Sequence, residues 1–236
     1  MQRLSDDLID FFWDLVFPPF CVACGAEGFW WCAACRGAVQ LIPRPVCPGC
    51  ASRKSEHVCP QRLGLDGLVV CGFYHDPKLR IALHALKYRG LERLTPEISD
   101  FLQTWHAARC GPWPWAGAAE LAIQPLVGAP SSIRARGFDQ AMILARLVKD
   151  VLVPWGSSLN VLTRHSSLLP QAKVAAGLRP ANVANVFSVR RDMPLPPSVL
   201  LVDDVLTTGA TMAEAAWVLR AAGVRQVFGF ALALGA

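Results

Sequence analysis

From residue 67 onward the apolar residues follow two alternating rhythms. Unbroken runs at GLVVCGFY (67–74), ELAIQPL (120–126), SVLLV (198–202) and VFGFALAL (227–234) have the length and side-chain types of strands buried on both faces. Between them lie segments of helical spacing. DPKLRIALHALKYRG sets Leu79, Leu83 and Leu86 on one face, with Asp76 placed to cap the start, Pro77 in the first turn and Gly90 beyond the end. FDQAMILARLVKDVL repeats the pattern with Leu144, Leu147, Val148 and Val151, and TMAEAAWVLRAAG reads as a helix ending at Gly223. A Pro/Trp-rich connection (110–117), a polar stretch around TRHSSLLPQAK, a short strand VANVFSV and a PLPP loop complete this region. Strands separated by helices predict an α/β domain, an open parallel sheet with helices on both faces.

Residues 21–62 obey neither rhythm. They are rich in Cys, Gly and Pro, which divides the chain into a small N-terminal domain, 1–62, and the α/β domain, 63–236. Of nine cysteines, seven fall between Cys21 and Cys59. CVAC and CAAC present Cys21, Cys24, Cys32 and Cys35 as two knuckles, and two such pairs complete a tetrahedral thiolate site for zinc. CPGC begins a second ribbon with Cys47 and Cys50, but its last knuckle reads CPQR, so Arg62 stands where an eighth cysteine would complete the set. Either His57 joins Cys47, Cys50 and Cys59 around a second zinc, or that site is degenerate and empty. Trp30 and Trp31 have two readings as well, packing the ribbon against its neighbour or stacking on nucleic-acid bases.

Charge narrows the picture only slightly. An excess of 23 Lys and Arg over 18 Asp and Glu gives a net +5, which suits phosphate or nucleic-acid ligands without selecting either. Asp6, Asp7, Asp10 and Asp14 interrupt the apolar residues at the N-terminus, unlike a secretory leader, and no run approaches the length of a membrane span. A cytoplasmic protein with reduced thiols is the expectation.

The most informative stretch is VLLVDDVLTTGAT, 199–211. An apolar strand ends in Asp203 and Asp204, followed by a Thr207-Thr208-Gly209-Ala210-Thr211 turn leading into a helix. In open parallel sheets ligands bind beyond the carboxyl ends of the strands, and the backbone amides at a helix start favour an anion. The acids would repel that anion but accept hydrogen bonds from hydroxyls, so the pattern fits a ribose 5-phosphate: hydroxyls on the carboxylates, phosphate in the turn.

LLVDDVLTTGAT resembles the phosphoribosyl-diphosphate (PRPP) signature of type I phosphoribosyltransferases, and the chain as a whole is similar to the ComF (competence protein F, GntX-like) family. The resemblance rests also on LKYRG at 86–90, RARGFDQ at 134–140, Arg164 with Pro170 and Gln171, and Arg179, Asn182 and Phe187. The chain departs from the family pattern at Asp139, where Asn is usual, and at Arg62, where Cys is usual. The resemblance implies a type I phosphoribosyltransferase-like sheet behind a double zinc ribbon, with PRPP and magnesium bound and Asp203 and Asp204 in the catalytic role. It also implies that Arg134 and Arg136 face the diphosphate, and that the segment 164–173 forms a hood carrying Arg164 and Lys173. Lys87 and Arg89 have weaker claims. The implied activity is phosphoribosyl transfer to an unidentified acceptor, linked to DNA uptake. The alternative is a non-catalytic accessory factor that keeps the PRPP fold and binds single-stranded DNA or a protein of the competence machinery.

Overall fold

The computed structural model describes residues 18–54, 59, 63–88, 91–130, 133–134, 137–165, 186–190 and 192–235. His57, Arg62, Arg89, Arg136 and the stretch 166–185, with Lys173, lie outside them. Five strands form one parallel sheet: β1 (Gly67–Phe73), β2 (Leu121–Pro125), β3 (Ser157–Ser158), β6 (Ser198–Leu206) and β7 (Gln226–Leu234), in the order β1-β7-β6-β2-β3. A separate antiparallel pair joins β4 (Leu162–Arg164) to β5 (Phe187–Val189).

From Val199 to Val202 the side chains of β6 alternate between two cores. Leu200 and Val202 join the core holding α2 (Pro77–Tyr88), α3 (Thr95–Ala108) and α4 (Gln140–Leu152), while Val199 and Leu201 join the one holding α5 (Ala210–Ala221). The α/β class with helices on both faces is therefore as the apolar runs predict. Asp76 caps α2 as expected, accepting from the amides of Lys78 at 2.9 Å and Leu79 at 3.3 Å. Helix α3 and the short strands β3 and β4 are additions to the elements expected from pattern.

The cysteine-rich region shares the first core. Between its knuckles the chain runs antiparallel to β1, with the Ile42 amide donating to the Cys71 carbonyl at 2.8 Å and that of Val46 to Leu68 at 3.1 Å. This segment covers the outer edge of the sheet, which would otherwise offer unpaired backbone groups. Trp31 is 1% exposed and packs on Phe101 of α3, centroids 5.3 Å apart. The Trp30 amide donates to Glu97, Arg36 pairs with Asp100 at 3.0 Å, and the Trp105 indole donates to the Ile42 carbonyl at 2.9 Å. Of the two readings of Trp30 and Trp31, packing is the one observed. Cys71 is a core residue in the middle of β1, its thiol raised well above the ordinary range by burial.

Candidate functional site

The first knuckle pair is short and surrounded by backbone amides. Cys21 donates its own amide to Ala26 and accepts at its carbonyl from Gly25, which bends CVAC so that both sulfurs face inward. The short helix α1 (Ala33–Gly37) carries Cys35, and Cys32 precedes it. The four sulfurs lie within 4.8 Å of one another, with Cys24 and Cys32 3.6 Å apart. A tetrahedral site with Zn–S bonds of about 2.3 Å has sulfur–sulfur edges of about 3.7 Å, so this set fits zinc. For Cys21, burial works to raise the thiol, but the amides of Cys32, Ala23 and Cys24 overcome it and bring the group down to about 6, the thiolate a metal needs.

The second knuckle is a copy of the first. Cys47 donates to Ser52 and accepts from Ala51, both at 2.8 Å, and Cys47, Cys50 and Cys59 bring their sulfurs within 4.8 Å. Where the first knuckle has Gly25 at φ +76°, the second has Ala51 at φ +61°, a left-handed conformation that costs an L-residue about 1 kcal/mol. Ala51→Gly should accordingly stabilise the protein by up to about 1 kcal/mol, read as a rise in the denaturation midpoint, whereas Gly25→Ala should lower it.

The second site lies at the carboxyl ends of the sheet. The carboxyl ends of β2 and β6 are adjacent, Pro125 pairing with Val202, so the loop after β2 runs beside the acids of β6. Asp204 is buried and accepts from Lys87, in the last turn of α2, at 2.5 Å. Gln140 at the start of α4 is 3.5 Å from the same oxygen. Asp203 receives the Asp204 amide on its own carboxylate at 2.8 Å. Burial first, and the neighbouring Asp204 charge second, raise Asp203 to about 8, so Asp203 holds its proton at neutral pH. Thr207 and Thr208 are exposed, Gly209 turns the chain at φ +73° into α5, and the Thr208 hydroxyl accepts from the Ala210 amide at 3.3 Å. A Cβ at Gly209 would stand 2.2 Å from Leu63, so a side chain there would drive the turn away from the segment that follows the ribbon.

Asp139 caps α4 through the Ala141 amide at 3.0 Å and accepts the Gly128 amide at 3.1 Å on its other oxygen. An Asn could accept with only one of its two terminal atoms, so the departure from the family pattern gives this loop a second anchor. Beside the loop is a cavity of about 510 Å³ into which Arg134 and Arg164 both face, joined by Arg190. Arg164 also donates to the Val127 carbonyl at 3.4 Å. Asp203, Asp204 and Thr207–Thr211 do not line that cavity, so the residues expected at one site occupy two neighbouring places. Lys87, Gln140 and Arg190 have larger parts than sequence reasoning gave them. The LKYRG and GFDQ segments were the available signal for the first two, and none marked Arg190.

An open parallel sheet with an acid pair and a glycine turn at one strand end, locked to a cysteine knuckle module, defines an α/β protein with an appended zinc ribbon. The double zinc ribbon domain model matches residues 12–67. The chain is 35% identical over 223 residues to DNA utilization protein YhgH of Salmonella typhimurium, covering 83% of this chain and 93% of that protein. It is 28% identical over 229 residues to DNA utilization protein YhgH of Escherichia coli K12, covering 90% and 96%, and 27% identical over 227 residues to Competence protein F of Haemophilus influenzae, covering 86% and 96%. The chain belongs to the ComF family that these relatives represent. Among the described residues no helix is long and apolar enough to cross a membrane.

Proposed function

We propose that this protein binds PRPP, or another ribose 5-phosphate, at the end of β6 and transfers the phosphoribosyl group to an acceptor in the handling of DNA, the process the relatives' names indicate. The observation that carries the reading is the sequence of groups along one turn of chain: the acids Asp203 and Asp204, then the exposed Thr207 and Thr208, then the left-handed Gly209 that opens α5. The carboxylates would take the ribose hydroxyls, and the amides and hydroxyls of Thr207–Thr211 the 5-phosphate, where the helix dipole favours negative charge. Arg134, Arg136 and Arg164 are the cations proposed to face the diphosphate. Guanidinium stays charged at every working pH and matches phosphate oxygens in pairs.

A transfer of this class breaks the bond between the anomeric carbon and diphosphate through a cationic sugar. Ionised Asp203 and Asp204 would hold the ring and offset that positive charge, and the segment 164–173 would exclude water. The oxygen-rich acid pair and the phosphate ligand suit magnesium, which when bound supplies charge neutralisation for the leaving diphosphate. Lys87 is the counter-ion of Asp204 in the ligand-free protein, and sugar hydroxyls entering the pair would share or displace it.

That same ion pair favours a second reading. With Asp204 already neutralised and Asp203 protonated, the site is balanced without a ligand, as suits an accessory factor that keeps the fold and binds single-stranded DNA or a protein. The two readings separate in one assay. Wild-type protein incubated with PRPP, magnesium and candidate amine or nucleobase acceptors should release diphosphate if it is a transferase, and release should vanish in Asp204→Asn. Saturable PRPP binding without release under any acceptor would leave the accessory reading.

A further inference from the structure

The second cysteine set stands against the turn that opens α5. Cys47, Cys50 and Cys59 bring their sulfurs within 4.8 Å of one another, with Cys47 and Cys59 3.4 Å apart. Four residues beyond Cys59, the Leu63 amide donates to the Gly49 carbonyl inside the knuckle at 3.0 Å. The Leu63 side chain is buried and packs against Gly209, where an added Cβ would collide with it. On either side this path is anchored to the sheet. Before the knuckle the Val46 amide donates to the Leu68 carbonyl of β1 at 3.1 Å. After Leu63 the Asp66 carboxylate accepts from the Val227 amide of β7 and from the Arg220 guanidinium, both at 2.7 Å. Between those anchors, Leu63 is placed by the knuckle.

A zinc ion on these three sulfurs would replace a thiol contact, weak as a hydrogen bond, with metal–sulfur bonds that clamp Cys59 to the knuckle. The three cysteines are only half-buried, and Cys47 and Cys59 line a cavity of about 540 Å³ with Gly64 and Leu65, so an ion has a way in and out. The first set has four sulfurs, three of them on buried residues, and should hold its ion more tightly. We infer that zinc exchange at Cys47, Cys50 and Cys59 controls the Gly209 turn: the bound ion fixes the hydrogen bond between Gly49 and Leu63, and Leu63 fixes the turn. That this turn holds a phosphate rests on the reading above, whereas the link from metal to turn does not. The effect is reciprocal, so a ligand at the turn tightens zinc at the second set by the same factor by which that zinc tightens the ligand.

The test compares full-length protein loaded with zinc at both sets with protein from which a moderate chelator has withdrawn the weaker ion, alongside Cys50→Ser and Leu63→Ala. Metal content is counted for each, and amide hydrogen exchange is followed at 207–213. In the wild type, loss of the second ion should speed exchange there at least about fivefold, and Cys50→Ser should show the faster rate with its first set still loaded. Leu63→Ala should keep both ions yet exchange alike in its two zinc states, which a merely structural leucine would not do. PRPP with magnesium should bind the fully loaded wild type at least about fivefold more tightly than the depleted form. The wild-type comparison needs neither variant to fold. Four results would overturn the inference: no second zinc in the fully loaded protein, exchange at 207–213 indifferent to it, a zinc-dependent difference that survives in Leu63→Ala, or equal PRPP affinity in two zinc states that both bind it. Zinc-dependent exchange in a protein that binds PRPP in neither state would leave the inference standing and remove the sugar-phosphate reading, so the two fail separately.

Discussion

Stripping zinc from the first cysteine set should unfold the parallel sheet along with the ribbon. Cys21, Cys32 and Cys35 are buried in the core that also holds Leu83, Phe101, Trp105 and Phe230. The segment 41–46 that connects the knuckles carries the only described backbone pairing along the outer side of β1. Structural zinc contributes on the order of 10 kcal/mol to small ribbon folds, as much as the whole stability of an ordinary domain. Cys32→Ser, or chelation of the wild type, should therefore abolish the cooperative thermal transition and the near-ultraviolet dichroism of the buried Trp31, Trp105 and Trp115 together. Cys50→Ser in the second set should cost much less, because its three cysteines are only half-buried. A sheet that still melts cooperatively after chelation, with its tryptophan signal intact, would show that the ribbon is an independent appendage.

The second large effect has opposite signs in two assays. Asp203→Asn should stabilise the ligand-free protein at alkaline pH and weaken sugar-phosphate binding by about a hundredfold. Asp203 titrates near 8 in the folded chain against an ordinary value of 3.8, with burial the principal cause and the Asp204 charge next. Between those values the folded state keeps a proton that the unfolded state gives up. The resulting stability is complete below about pH 4 and is lost as pH rises through about 8. Asparagine does not titrate, so the advantage of the variant should be absent near pH 4, grow across the window and level off above pH 8, read as a rise in melting temperature over the wild type. On the proposed sugar-phosphate reading, the wild type gives up this stability to keep an acid that can ionise for binding. Because hydroxyl donors prefer the ionised acid, wild-type affinity should rise with pH up to about 8 and release a proton on binding, and the variant should do neither.

The sheet was legible in the sequence because its central strands are buried on both faces. SVLLV and VFGFALAL leave no polar face to confuse with a helix, and the alternation of cores from Val199 to Val202 follows from the first of these runs. The metal site was legible for a local reason, since each knuckle is closed by hydrogen bonds within six residues of chain. Helix α3 was missed although Ile98, Phe101, Leu102 and Trp105 have helical spacing. Aromatic side chains are indifferent helix formers, and this helix is held by contacts distant in sequence, Trp31 on Phe101 and Phe230 on Trp105. Strands β3 and β4, of two and three residues, are too short for any period to register. The acid pair could be read as a ligand site from the strand–turn–helix pattern. Its Lys87 partner could not, because that contact depends on where the end of α2 meets the sheet. Arg190 reaches the cavity beside the β2 loop by the same route, through the β4–β5 pairing.

Calorimetric titration of PRPP with magnesium into wild type and into Asp203→Asn/Asp204→Asn tests the central claim most directly. The account predicts saturable heat in the wild type and a loss of affinity of at least about a hundredfold in the double variant, with zinc content unchanged. Equal binding by both proteins, or no heat from either, would contradict a sugar-phosphate site at the end of β6.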